Sequence, residues 1–294
     1  MKKILVIIVT YNALRWIDRC LESLYRSSIP VDIFIVDNNS SDGTVSYIRD
    51  KYAILQLIEN KKNLGFGKAN NLGLKYAIDN NYDYVYLLNQ DAWVFNTTIE
   101  KLISIHEQNH FWGVLSPLQI NAICNRLDAN FMLCCPRVML SDYIFDNRNS
   151  VYMTDFVMAA HWLISRECLL IVGGFSPSFP HYGEDHNFLH RVSFLKFKIG
   201  IVPGAMGVHD RELRVESREL IIKKKYLKAV VEISNLNKNL LRGVLFQPIN
   251  LLIYSLKVHS LKSFVNTIKL IIHLPQFIST LIPQHFDLTL FISS

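Results

Sequence analysis

Short apolar runs alternate with segments of helical spacing through the first hundred residues, and a cluster of polar residues closes several of the runs. Ile4 to Val9 is a β-branched block, and Leu14, Ile17, Leu21 and Leu24 follow at the spacing of one helix face. The alternation repeats with Val31 to Val36, a helix from about Thr44, Ile54 to Ile58, and a helix carrying Ala69, Leu72 and Tyr76 on one side. Tyr84 to Leu88 reads as a fourth strand, and Thr97 with Glu100 reads as a capping box opening a further helix. Strands apolar on both faces, each followed by a helix, predict an α/β fold with a mostly parallel sheet flanked by helices. Met1 to Thr10 imitates a leader only superficially. Its apolar run falls below the roughly 7 to 15 residues of a signal core, so a first buried strand is expected.

In open sheets of this kind, ligands gather beyond the carboxyl ends of the strands. The polar clusters sit there: Thr10-Tyr11-Asn12 after the first strand, Asp37 to Gly43 after the second, and Asn89-Gln90-Asp91 after the fourth. No G-x-G-x-x-G or Walker pattern occurs among them, which disfavours a dinucleotide oxidoreductase or a P-loop enzyme. The net charge of +6 does not point to nucleic acid. Residues 220 to 294 hold nine Lys/Arg against two Asp/Glu, leaving 22 against 23 in residues 1 to 219, so no basic stripe crosses the first three quarters. The five cysteines, odd in number and without C-x-x-C spacing, read as reduced thiols of a cytoplasmic protein.

Residues 119 to 150 are weakly periodic and read as loop with short strands. Order returns from Tyr152, where Ser165 can cap a helix running through Val172, Gly173-Gly174 stops it, and another helix starts near Glu184. The chain divides into an α/β unit, residues 1 to 216, and a basic, apolar helical appendage, residues 217 to 294. Leu240 to Leu256 and Phe264 to Ile282 are strongly apolar, but polar residues and prolines interrupt both, so neither reads as a membrane span of about 20 residues. Two readings of the appendage stand: helices lying on a membrane surface, or a subdomain packed on the core or on another subunit.

Each chemical candidate likewise has a plain structural alternative. Asp37, just beyond a buried strand, can accept hydrogen bonds from a base or ribose, or can simply shape an Asx turn. Asn89-Gln90-Asp91 has the form of an acidic strand end that meets a divalent cation, Mg²⁺ or Mn²⁺, through Asp91, and equally the form of a polar strand cap. Glu184-Asp185 opens a helix, where the helix dipole alone favours acids. Adjacent helical residues point apart, so the pair does not flank one bond, and Asp185 is the candidate general base. His209, beyond the Ile199 to Val202 run, is a candidate for contact with a metal or diphosphate, or an exposed histidine.

Taken together these segments resemble glycosyltransferase family 2, in particular its bacterial rhamnosyltransferase-like branch. The match runs from Val6-Ile7-Ile8-Val9-Thr10-Tyr11-Asn12 through Val36 to Thr44 and Asn63 to Gly73. It continues through Leu88-Asn89-Gln90-Asp91, Gly173-Gly174-Phe175 and Tyr182-Gly183-Glu184-Asp185, spanning about residues 4 to 210. The resemblance implies the GT-A fold and an inverting glycosyltransferase that uses a nucleotide-sugar donor, dTDP-rhamnose or a UDP-sugar, in cell-surface polysaccharide synthesis. It implies nucleotide contacts from Thr10, Tyr11, Asn12, Asp37, Gly65, Phe66, Lys68, Asn70 and Asn89. Asp91 and His209 would face the metal, and Asp185 would be the base. His161, Trp162 and Glu184 would lie on the side of the acceptor, a glycan or polyprenyl-linked glycan. The enzyme would be cytoplasmic, with peripheral contact to the inner membrane. Many relatives carry Asn-Pro-Asp where this chain has Asn-Gln-Asp, and a second carboxylate where it has Asn187. Two rival readings are a sugar-nucleotide pyrophosphorylase, whose glycine-rich, arginine-bearing loop is missing after Val9, and a catalytically inactive nucleotide-sugar-binding protein.

Overall fold

The computed structural model describes residues 2–52, 55–179, 181–211 and 217–281, with side chains to residue 275. The first part of the chain runs β1 (Ile4–Thr10), α1 (Ile17–Tyr25), β2 (Asp32–Asp37), α2 (Thr44–Lys51), β3 (Gln56–Glu59), α3 (Phe66–Asp79), β4 (Tyr84–Asn89), β5 (Ala92–Val94) and α4 (Thr98–Gln108). It continues with β6 (Trp112–Ile120), α5 (Ala129–Met132), α6 (Arg137–Ile144), β7 (Tyr152–Met153), β8 (His161–Ser165), α7 (Arg166–Val172), α8 (Glu184–Phe194) and β9 (Lys198–His209). Three helices follow, α9 (Arg218–Ile233), α10 (Leu240–Lys257) and α11 (Leu261–Leu281).

Among the described residues the strands form one sheet in the order β3-β2-β1-β4-β8-β6-β9-β5, with β7 pairing β9. The β3-β2-β1-β4 half is wholly parallel. β8 is antiparallel to both β4 and β6, and β6 is in turn parallel to β9, so six of the nine strands share one direction. The expectation of a mostly parallel sheet therefore holds, with a reversed strand inserted at its centre.

Alternation along the strands feeds two cores, as the two-residue period of a strand requires. Leu5 and Ile7 of β1, Val85 and Leu87 of β4, and Trp162 and Ile164 of β8 pack on one side with Ala69, Leu169, Phe188 and Val192 of the α3, α7 and α8 helices. Ile4, Val6 and Ile8, with Tyr84, Tyr86 and Leu88, pack on the other side with Ile17, Leu21, Leu24, Ile48, Ile99 and Leu102 of α1, α2 and α4. The approach of α3 to β1 is close enough that a Cβ on Gly73 would lie 2.7 Å from Ile7 Cγ2. A third cluster joins Val230, Val231 and Ile233 of α9, Leu251 of α10 and Leu270 of α11 to Phe179, just before α8.

Most of the sequence-based elements appear within a few residues of their expected bounds. Ser165 caps α7 by accepting the Cys168 N–H, and Gly173 ends that helix. Two readings change. The Thr97/Glu100 capping box does not form: Thr97 is the N-cap residue of α4, but its side chain makes no cap hydrogen bond. Thr98 Oγ1 instead accepts the Phe95 N–H at 2.9 Å and donates to the Met206 carbonyl, while Glu100 accepts the Ser28 hydroxyl. Residues 119 to 150, expected as loop and short strands, carry the short helices α5 and α6, the first capped by Asp128 through the Asn130 and Phe131 N–H groups. The expected starts and ends at Ile54, at residue 216 and at Ile282 to Ser294 lie outside the described residues.

One buried amide ties the two halves of the first core together. Asn71 of α3 donates to the Phe175 carbonyl at 2.9 Å and accepts the Phe175 N–H at 2.7 Å. Replacing it leaves both backbone groups without their partner, at about 1–3 kcal/mol for each. Asn71→Ala is expected to lose roughly 2–5 kcal/mol of stability, read as a lower urea midpoint; an unchanged midpoint would contradict the tie.

Candidate functional site

The site begins where β1, β2 and β4 end side by side, with Thr10 opposite Asp37 and Val9 opposite Asn89. Thr10 Oγ1 donates to Asp37 Oδ1 at 2.7 Å, the Ser40 hydroxyl donates to the same oxygen at 2.5 Å, and the Ser40 N–H donates to Oδ2 at 2.8 Å. Asp37 is only 1% exposed. Its carboxylate thus shapes the turn after β2, as the Asx-turn alternative anticipated.

Tyr11 and Asn12 step out of the strand. Gln90 holds the Tyr11 backbone at both ends, accepting its N–H through Oε1 at 2.6 Å and donating Nε2 to its carbonyl at 3.2 Å. Asn12 adopts a left-handed φ of 51°, which asparagine tolerates better than most residues, and its Oδ1 accepts the Ser41 N–H at 2.9 Å. Asn38 accepts the Asn60 amide and the Leu64 N–H and donates to the Gly65 carbonyl at 3.2 Å, fixing the loop that delivers Gly65 and Phe66 to α3. Neither Gln90 nor Asn38 stands out in the sequence as a positioning residue; the only signal is a polar amide immediately beyond a buried strand.

Not every expected nucleotide contact faces outward. Lys68 is half-buried at the start of α3. Asn70 is buried and donates its amide to the Phe66 carbonyl at 3.0 Å, so it braces the first turn of α3 rather than opening to a ligand. Asn89 is half-buried, with its N–H on the Ala160 carbonyl at 3.1 Å.

Asp91 lies in the turn between β4 and β5. The antiparallel pairing of β5 with β9 sets Ala92 opposite His209, and the Asp210 N–H donates to the Asp91 carbonyl at 2.8 Å. His209 Nε2 stands 3.5 Å from Asp91 Oδ1. Burial works against the Asp91 charge, yet the hydrogen bond and charge of His209, with help from Arg211, outweigh it and hold the carboxyl below its ordinary value. His209 is 2% exposed, so the exposed-histidine alternative fails, and its Nδ1 is buried without a hydrogen-bond partner. Among the described residues no group of three His, Cys, Asp or Glu side chains is set to hold a metal ion. A carboxylate and an imidazole at this spacing fit a cation that completes its coordination with phosphate oxygens and water.

The expectation that His161 and Trp162 face an acceptor is corrected. Both are fully buried. His161 Nε2 donates to the Val208 carbonyl at 2.9 Å, which leaves Nδ1 to accept the Tyr86 hydroxyl at 2.8 Å, and burial lowers its pKa to about 3. It is a neutral brace across β4, β8 and β9. Trp162 points to the opposite core, where it packs on Phe175 and Phe188 and donates to the Val157 carbonyl. Strand alternation places these neighbours in two interiors and neither at the edge.

Left-handed Tyr182 (φ 72°) and Gly183 (φ 93°) lead into α8. A Cβ on Gly183 would come within 2.8 Å of Val231 Cγ2, so only glycine suits both the dihedral and the packing of α9. Asp185 Oδ1 accepts the His186 N–H at 2.8 Å. Glu184 is buried, and its Oε2 has no hydrogen-bond partner. Both acids line a cleft of about 490 Å³ between the start of α8 and α9, together with Tyr182, Lys224, Lys228 and Glu232. Asn187 faces inward, where its Oδ1 accepts Arg191 Nε at 3.2 Å; Arg191 also donates to the Val172 and Gly174 carbonyls. The missing second carboxylate is thus replaced by a neutral acceptor in a structural bond.

The rim residues Thr10, Asp37, Gln90 and Asp91 form one connected edge. Asp185 belongs to the neighbouring cleft.

Burial, reinforced by the Asp185 charge and opposed by backbone hydrogen bonds, raises the Glu184 pKa from 4.5 to about 7. A carboxyl with a raised folded-state pKa contributes stability below its unfolded value that is lost as pH rises through the folded value. Between pH 5 and 8 the wild-type protein should lose roughly 3 kcal/mol relative to Glu184→Gln. Urea unfolding of both proteins across that range measures it, and parallel pH profiles would contradict it.

Residues 5–130 match the model of Glycosyl transferase family 2. Among curated proteins the chain is 23% identical over 211 residues to the low-salt glycan biosynthesis hexosyltransferase Agl10 of Haloferax volcanii, covering 70% of this chain and 66% of that one. It is 26% identical over 202 residues to an uncharacterized glycosyltransferase of Haemophilus influenzae, covering 65% and 60%. The chain thus spans less than two thirds of the length of these relatives. The fold is similar to that of S. aureus TarS 1-349 in complex with UDP, with a TM-score of 0.57, 18% identity, and coverage of 82% of this chain and 68% of that one. It is also similar to GalNAc-T7 with UDP, GalNAc and Mn²⁺, with a TM-score of 0.59, 13% identity, and coverage of 82% and 52%. These likenesses establish the GT-A arrangement of a mixed sheet between helices.

Proposed function

We propose, from the match of residues 5–130 to Glycosyl transferase family 2, that the chain is an inverting enzyme of that family acting on a nucleotide-sugar donor, dTDP-rhamnose or a UDP-sugar. The acceptor is a hydroxyl of a glycan or polyprenyl-linked glycan in cell-surface polysaccharide synthesis. The observation that carries this reading is the polar rim at the ends of β1, β2 and β4, ending in Asp91 and His209, together with the acid-lined cleft at the start of α8.

In this reading Tyr11, Asn12 and the Gly65–Phe66 turn receive the nucleotide, over a floor held rigid by buried Thr10 with Asp37, Asn38 and Gln90. Asp91 and His209 hold a divalent cation, Mg²⁺ or Mn²⁺, which when bound offsets negative charge on the departing diphosphate. Asp185 accepts the proton of the acceptor hydroxyl as its oxygen forms a bond to the anomeric carbon and the bond to the diphosphate breaks. Attack from the face opposite the leaving group inverts the anomeric centre. Glu184, whose pKa burial raises to about 7, is suited in its protonated form to donate a hydrogen bond to an acceptor oxygen in the cleft. Asp185→Asn should reduce turnover by about 10²–10⁴-fold while thermal-shift titration still reports nucleotide binding. A variant with near-normal turnover removes Asp185 from the role. A thermal-shift panel of UDP-, dTDP- and GDP-sugars with Mg²⁺ or Mn²⁺ identifies the donor and the cation together; no shift with any of them overturns the assignment.

The helical appendage extends the proposal to a membrane surface. No helix among the described residues is long and apolar enough to cross a membrane. α10 and α11 nonetheless expose Leu241, Leu245, Phe246, Leu256, Leu261 and Ile272. Residues 220 to 294 carry seven net positive charges, a combination suited to an anionic leaflet where each basic side chain contributes about 1 kcal/mol. The protein should float with phosphatidylglycerol-rich liposomes and less well with neutral ones. The Leu241→Glu/Leu245→Glu variant should stay at the bottom of the gradient; equal flotation of variant and wild type would reject the membrane face.

A further inference from the structure

His186 has no part in the function proposed above, yet it touches the side chain assigned there as the base. Its Nδ1 lies 3.1 Å from Asp185 Oδ1, the same oxygen that accepts the His186 backbone N–H at 2.8 Å. Both bonds fall on one oxygen, and among the described residues Asp185 Oδ2 has no hydrogen bond. Consecutive residues of a helix ordinarily point apart. The contact arises because Asp185, in the first turn of α8, folds back over the N–H of its neighbour.

The imidazole is itself held from the other side. It stacks on Phe156 with ring centroids 3.7 Å apart and planes 21° apart. Phe156 belongs to the segment between β7 and β8, whose Thr154 Oγ1 donates to the Phe156 carbonyl at 3.0 Å and accepts the Phe156 N–H. Burial does not explain the arrangement, since the His186 side chain remains 46% exposed. The helix does not explain it either, because a group that can become cationic is disfavoured at the positive end of the dipole. The partner that accounts for its place is the Asp185 carboxylate.

We propose that His186 is a positioning residue for the acceptor-side base: seated on Phe156, it grips one oxygen of Asp185 and leaves the other for the acceptor hydroxyl. The inference rests on the reading of Asp185 as that base. A carboxylate fixed through one oxygen keeps a single rotamer, and proton transfer needs donor and acceptor within hydrogen-bond reach at the moment of attack. In its neutral form His186 must then carry its proton on Nδ1, because the carboxylate can only accept.

Two measurements on the full-length chain test this. Side-chain ¹⁵N correlation spectra of the histidines should show a proton on His186 Nδ1 in the wild type, lost in Asp185→Ala. Wild-type His186 carrying its proton solely on Nε2 overturns the proposal. Release of nucleoside diphosphate is then followed with the nucleotide sugar that gives the largest shift in the thermal panel. His186→Ala should lower kcat by roughly ten- to a hundred-fold with the donor KM and the melting temperature nearly unchanged. His186→Asn, whose amide nitrogen can replace Nδ1 as donor, should restore most of the rate. Normal kcat in His186→Ala, or no recovery in His186→Asn, overturns the positioning role. Turnover surviving in Asp185→Ala removes the base assignment and this inference with it, whereas turnover lost there but intact in His186→Ala defeats the inference alone.

Discussion

A strand buried on both faces can place polar atoms only at its ends, and the organisation of this protein follows from that constraint on β1. Its odd and even residues enter different cores, so Ile4 to Val9 has no surface on which to carry a functional group. Thr10 is the first position where a hydroxyl has a use, and it uses it on Asp37 of the neighbouring strand. Parallel pairing with β2 and β4 aligns the same transition in three strands, which converts three unrelated polar clusters into one edge.

Much of that edge is polar groups holding other polar groups. Asp37, Asn38 and Gln90 spend their side chains on the backbones of Ser40, Leu64, Gly65 and Tyr11. A floor fixed in this way lets the outward residues keep their geometry without a ligand, which is the preorganisation that binding of a charged donor requires. The acids farther along are treated differently. Asp91 is kept ionised by His209 and Arg211 against the effect of burial, whereas Glu184 has no such partner and burial raises its pKa. Two carboxyls of the same chemistry thus acquire opposite tendencies from their surroundings alone.

Much of the fold is legible in the sequence. Two-residue alternation and helical spacing are local signals, and they placed β1, β2, β4, α1, α3, α7 and α8 nearly where they lie. The misreadings came where a local pattern competed with a distant partner. At the start of α4 the hydroxyl that bonds is that of Thr98, between the Phe95 N–H and the Met206 carbonyl, while the N-cap residue Thr97 makes no side-chain cap. His161 and Trp162 looked available as polar and aromatic neighbours, but antiparallel pairing of β8 with β4 and β6 buried both. Asn70 turned inward for a local reason, since its amide donates to the Phe66 carbonyl one helical turn earlier.

The amino-acid sequence by itself determined the α/β layering, the strand ends at which polar residues gather, and the identity of the acids there, because each depends on residues close together in the chain. Tertiary structure alone decided which side chains meet: His209 meets Asp91 through the β5–β9 pairing, Arg191 reaches the Val172 and Gly174 carbonyls, and Phe156 stacks on His186. Those outcomes depend on strand register and on the path of α8 over the sheet. Contacts between residues tens of positions apart are set by the packing of whole elements, which no short stretch of sequence encodes.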